Sequence, residues 1–255
     1  MTAGPINPTV AVLTRRSLLG RKRTVVLMLL PLALLALCTL ARVLGELDSD
    51  IQRELAGPLA PGLLSAFGIA ILMPLLSLIA GTGAIGPEID EGSIVYLLAK
   101  PLNRHSIVVT KLVVALGVVL AFGVLPIAIA GVVLTGEVGE VTVAFAVGAA
   151  AGAATYSALF LLLAVISRNA VVIGLIYALI WESLVGGLVP GAQALSVQQW
   201  SLAVVERVLG DSAGRFGVDS AVDFGTGLVL LLVVALLATA YAGRRLQTLR
   251  LSTDD

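Results

Sequence analysis

Glu182, in the run Ala178-Leu179-Ile180-Trp181-Glu182-Ser183, is the one carboxylate set deep inside a long apolar segment. A central acid costs roughly 2.5–3.5 kcal/mol on insertion scales, so it must face protein or water and have a partner. Two readings follow: a structural group bonded to a neighbouring hydroxyl or loop amide, or a group lining a transport pathway. A lone acid without a second ionisable relay partner gives proton coupling little support. The remaining chemical inventory is thin. His105 is the only histidine and stands in a basic loop, where solvation is the simplest reading; there is no His-Glu-x-x-His and no pair of membrane aspartates. Cys38, the only cysteine, lies within an apolar run, which rules out an internal disulfide and any multi-cysteine metal site. Gly81-Thr82-Gly83-Ala84-Ile85-Gly86 spells G-x-G-x-x-G, but an apolar helix precedes it in place of a strand, and Asn103-Arg104 stand where the ribose-binding acid belongs. Those glycines are expected to end the second span and turn the chain. No G-x-x-x-x-G-K-[ST] occurs, so any ATP must be bound by a partner.

The residues from Ile85 to Lys111 form a long polar island between two apolar segments. Pro87 followed by Glu88, Asp90 and Glu91 predicts a helix start, because proline lacks an N–H that the first turn does not need and the acids face the positive dipole end. Lys100 and then Pro101 predict its stop. Such a helix of about three turns is too short and too charged to cross a bilayer, so it is expected at the membrane surface. Ile89, Gly92 and Tyr96 fall on one side of it and Ile94, Leu97 and Leu98 on another, which suggests two partners.

Read from Glu88 to Lys111, the pattern E-x-x-x-G-x-I-x-x-L-L-x-x-P-x-x-R-x-x-I-x-x-x-K resembles the cytoplasmic loop of type-2 ABC transporter permeases. The matching positions are Glu88, Gly92, Ile94, Leu97, Leu98, Pro101, Arg104, Ile107 and Lys111; Asn103 departs from the family, which usually has a serine there. The resemblance implies a permease of the six-helix kind in an ATP-driven exporter. Two permease subunits, alike or different, would sit on two ATPase subunits, which would hold ATP and Mg; no cofactor is expected on this chain. It also implies that Glu88, Gly92, Tyr96, Leu97, Leu98, Pro101, Arg104 and Lys111 dock and couple the ATPase. Tyr96, Leu97 and Leu98 would be the anchors, with Glu88 and Arg104 making charge-assisted bonds at the rim.

The elements that must carry these residues follow from composition. Hydrophobic residues make up 58% and charged residues 13% of the chain, against roughly 25% charged in soluble domains, so this is an integral membrane protein. Net charge is zero, which removes the basic footprint of a nucleic-acid binder. At about 20 apolar residues per crossing, spans are expected near 24–44, 60–83, 108–134, 141–166, 170–190 and 221–242. The fold class is therefore all-α: one polytopic bundle of about six spans, with 84–107 as a cytoplasmic coupling loop and 191–220 as an external segment. An even number puts both ends on one side. That side would hold Arg15, Arg16, Arg21, Lys22, Arg23, Lys100, Arg104, Lys111, Arg168, Arg244, Arg245 and Arg250, while most acids of the loops fall on the other. The positive-inside rule then places both termini and the signature loop in the cytoplasm, in the cell membrane.

Residues 1–23 are basic, with Pro8 as a helix start and Val10, Leu13 and Ser17 on one face, as in a helix lying on anionic headgroups. Ser196-Val197-Gln198-Gln199 is a capping box opening a short helix at the outer interface, on which Trp200, Val204 and Val208 recur and Trp200 is the expected anchor. In the permease family an interfacial or re-entrant helix near this place helps close the outer end of the pathway. Gly148 and Gly152 form a G-x-x-x-G step that admits a close helix, either within the bundle or from another subunit. The competing functions are an ion-coupled secondary transporter using Glu182 and a membrane assembly factor with no transport pathway.

Overall fold

The computed structural model describes residues 7–55, 57–92, 104–185 and 191–248. All of its regular elements are helical, as composition and period require. Helix α1 (Pro8–Leu18) is followed by α2 (Arg21–Leu47) and the short α3 (Ser49–Leu55). Next come α4 (Leu59–Asp90), α5 (Arg104–Thr135) and α6 (Glu140–Ile166). Helix α7 covers 170–185, as an α segment Ala170–Ile176 continued by a π segment Tyr177–Val185. Helices α8 (Val197–Leu209) and α9 (Phe224–Thr248) end the described chain. Helices α2, α4, α5, α6 and α9 are long and apolar enough to cross a membrane. The 16 described residues of α7, in the expected span 170–190, rise about 24 Å against a hydrocarbon core of about 30 Å.

Helices α4 and α6 are the centre of the bundle: 61% of the most apolar stretch of each is buried, against 22%, 33% and 17% for α2, α5 and α9. The composition of α6 explains its place. It is apolar all round and rich in Ala and Gly, so it has no face to offer water and little side-chain bulk to keep neighbours away. Gly81 of α4 lies on this seam, where a Cβ would stand 3.0 Å from Leu161 N, Phe160 Cβ and Ser157 O of α6. Within α4 and α5, π segments at Leu64–Leu72 and Leu120–Val124 each end just before a proline, Pro74 and Pro126. Local π geometry is one way a membrane helix re-satisfies the carbonyl that a proline leaves without a donor.

The structure overturns three expectations drawn from the sequence. The glycines at 81–86 do not turn the chain, and Pro87 does not begin a helix: α4 runs through all of them to Asp90, and the break falls at Gly92, with φ 70°. Packing decides this, since Gly81 is held against α6 and a proline in the last turn removes one hydrogen bond without ending the helix. On α1 the buried residues are Val10, Thr14 and Leu18, so Leu13 and Ser17 point away from the bundle. Asn7 caps α1 by accepting from Thr9 N and Val10 N, and its own N–H donates to Thr110 Oγ1 at 3.0 Å.

The start of α1, the end of α4, the start of α5 and the end of α9 meet at one end of the bundle, called here the terminal end. Arg42, Glu140 and Arg215 mark the opposite end, where Arg42 Nη1 donates to Leu134 O and Arg215 pairs with Glu140 at 2.9 Å.

Candidate functional site

At the terminal end, two ionic braces flank the polar island. Glu88 sits in the last turn of α4, where its charge opposes the negative helix end, so a cation beside it is favourable. Lys111, one turn into the apolar part of α5 and fully buried, supplies it: Nζ donates to Glu88 Oε1 at 2.7 Å and to Ala84 O at 2.6 Å, with Thr14 Oγ1 of α1 at 3.4 Å. One ammonium therefore joins α1, α4 and α5. Arg104, the first residue of α5, donates through Nη1 to Leu246 O at 2.9 Å and Gln247 O at 2.8 Å. A guanidinium on the last carbonyls of α9 satisfies groups the helix cannot pair itself and complements its dipole. His105 follows it in the first turn of α5, and its ring occupies the space a Cβ on Gly243 would need, so it is a packed helical residue and not a loop residue.

The expected rim charges Glu88 and Arg104, together with Lys111, are thus turned toward other helices of the same chain. Ile94, Tyr96, Leu97, Leu98 and Pro101 lie outside the described residues, while Gly92 ends the described stretch. Beside this end, a cavity of about 270 Å³ opens between α4 and the α6–α7 corner, lined among others by Thr82, Asp90, Ser167 and Arg168.

A second constellation lies inside the bundle around Glu182, which is fully buried. Its carboxylate accepts from Tyr177 Oη at 2.6 Å, Ser196 Oγ at 2.5 Å, Val197 N at 3.1 Å and Gln198 N at 3.1 Å. The last two are the first amides of α8, which have no intrahelical acceptor. The acid of α7 therefore caps α8, and the positive end of that helix stabilises its charge. Tyr177 was not legible as its partner. Five residues separate them, about 140° apart on an α-helix, whereas the i→i+5 bonding of the π segment brings them toward one face. An edge-on contact with Phe160, 6.0 Å between ring centroids, orients the tyrosine.

Helix α8 itself is not a surface helix. Ser201 and Val205 lie on Gly152 and Gly148 of α6, and a Cβ on Gly148 would stand 2.9 Å from Ser201 O. The order of these contacts makes α8 antiparallel to α6, with its N-terminus deep in the bundle and its C-terminus toward the opposite end. Trp200 is correspondingly 5% exposed, with Nε1 donating to Ala194 O at 2.8 Å, so it is a core residue and not an interfacial anchor. Half of the expected capping box forms: Ser196 Oγ accepts from Gln199 N at 3.4 Å. Gln199 does not reach back, because Ser196 N already donates to Gln193 O, and Gln199 Oε1 accepts from Ala221 N at 3.1 Å. The helix that follows is capped by Asp223, whose carboxyl is held below the usual carboxylate range by hydrogen bonding first to the Thr226 side chain and then to Thr226 N.

The arrangement offers no constellation for covalent chemistry among the described residues. It offers instead a packed bundle in which the start of α8 is seated against α6 and capped by Glu182, with Glu88, Arg104 and Lys111 tying helices together at the terminal end. No curated protein sequence matches this chain closely enough to name a relative. The family described as ABC-2 family transporter protein matches over residues 15–248, which takes in every described element from within α1 onward. With nearly its whole length matched, the chain belongs to the ABC-2 transporter family as a multi-pass membrane permease component of an ABC transporter.

Proposed function

We propose that this chain is the permease subunit of an ATP-driven exporter of the cell membrane. A second permease subunit would complete the pathway, and a separate ATPase pair would hold ATP and Mg. The terminal end then faces the cytoplasm with both termini. The supporting observation is the pair of braces around residues 93–103. The chain enters this segment from Glu88, tied through Lys111 to α1 and α5, and leaves it at Arg104, tied to the end of α9. A soluble partner pressing on the segment would move four helices together, as coupling through rigid elements with two arrangements requires. Glu182 uses both carboxylate oxygens to hold α8 and Tyr177, which disfavours the ion-coupled alternative.

The test is ATPase copurification together with substrate-stimulated hydrolysis. Leu97→Asp is expected to abolish copurification while leaving membrane insertion intact, and Arg104→Ala to lower stimulated hydrolysis more than it lowers copurification. Wild-type retention of the ATPase by Leu97→Asp would remove the docking face. Gradient-driven transport by the chain alone in proteoliposomes would replace the whole reading with a secondary transporter.

A further inference from the structure

Between α1 and the first half of α5 runs an open apolar groove of about 380 Å³, walled by Ala11 and Leu19 on one side and by Val113, Gly117, Ala121 and Phe122 on the other. Gly117 forms its floor: a Cβ there would meet nothing within 4 Å. Glycine in a helix interior costs stability relative to alanine, and no packing neighbour uses the space it leaves. From Val113 to Ala121 the groove extends about 12 Å, close to the roughly 15 Å of one hydrocarbon leaflet. Among the described residues, Arg15 is the one charged residue lining it, is exposed, and pairs with no carboxylate. Arg16, Arg21, Lys22 and Arg23 follow in sequence, and the first acid of the chain is Glu46.

We propose that this groove holds one acyl chain of an anionic phospholipid, with the lipid phosphate on Arg15. The occupant follows from the combination of a leaflet-length apolar slot, a cation at it and the absence of any acid near it in sequence. The site is independent of ATPase docking, since it lies on α1 and α5 and not on the segment 93–103.

Native mass spectrometry of the full chain in neutral detergent, with phosphatidylglycerol or phosphatidylcholine added, tests it. One phosphatidylglycerol is expected to be retained in preference to phosphatidylcholine. Arg15→Gln should lower that retention about fivefold, the effect of one basic side chain near an anionic surface, without changing phosphatidylcholine. Gly117→Leu should fill the floor and lower retention of both lipids, with Val113→Trp as the second filling variant should the first fail to fold. Equal retention of the two lipids by the wild type would overturn the proposal. So would filled-floor variants that fold and still keep phosphatidylglycerol, because the basic cluster would then hold headgroups without a groove. Loss of a dimer on filling, with lipid retention unchanged, would assign the face to a second copy instead.

Discussion

Glu182 and Lys111 show how differently two buried charges are maintained. Glu182 has four donors around it, two of them amides of a helix start, so removing the carboxylate strands groups that have no water to turn to. Glu182→Gln keeps one acceptor oxygen and is expected to lose about 1–3 kcal/mol, the cost of an unsatisfied buried group. Glu182→Leu should lose more, read as the lower midpoint of thermal unfolding in detergent; a leucine variant unfolding with the wild type would refute the capping role. For Lys111, which is fully buried beside a Glu88 side chain 29% exposed, Lys111→Met is expected to cost about 3 kcal/mol, the low end for breaking a buried pair because Glu88 keeps partial hydration. The double variant Glu88→Leu/Lys111→Met should recover part of the loss, since two apolar groups often replace a buried pair at little cost. A double variant as unstable as the sum of the singles would mean the two charges do not interact.

At the scale of elements, α8 is defined by the helices that receive it. Its seat on α6 depends on the missing side chains at Gly148 and Gly152, where any Cβ meets Ser201 or Val205. Gly152→Ala and Gly148→Ala are each expected to destabilise by about 1–3 kcal/mol through overpacking. Gly117→Ala, where nothing stands within 4 Å, should be neutral or gain up to about 1 kcal/mol in helix propensity. If all three alanines behaved alike in thermal unfolding, the seat would not be as tight as the contacts state. The far end of α9 gives a second element-level test. With Arg104 removed as in Arg104→Ala, the last carbonyls lose their donors, so amide exchange in the final turn of α9 should quicken while that of its first turn stays unchanged.

Across the whole molecule, Arg104, Lys111, Arg168, Arg244 and Arg245 lie at the terminal end among the described residues, against Arg42 and Arg215 at the other, and the proposed orientation follows from that asymmetry. Cys38 is buried, so single introduced cysteines report their own side of the membrane. Gly214→Cys on intact cells is expected to react with an impermeant maleimide, whereas Arg168→Cys should react only after the membrane is opened. The reverse pattern would invert the molecule and with it the side on which an ATPase can dock.

Composition, apolar length and charge placement were sufficient to identify a helical multi-pass bundle, because each follows from what a bilayer tolerates and not from which helices are neighbours. The same is true of the family: the spacing from Glu88 to Lys111 is a one-dimensional property and could be read from the residues. What those residues do inside the chain was not legible. That Lys111 reaches Thr14, 97 positions away, and that Arg104 reaches Gln247, 143 positions away, depends on four helix ends converging. Glu182 was recognisable as an acid needing a partner, but the partner is the start of a helix that enters the bundle. Trp200 has the residue type of an interfacial anchor, yet it is buried because two glycines on α6 make room for α8. Amphipathic period identifies a helix without identifying the surface that receives it. Whether its apolar face meets lipid or another helix is decided by packing, and packing exists only in the tertiary structure.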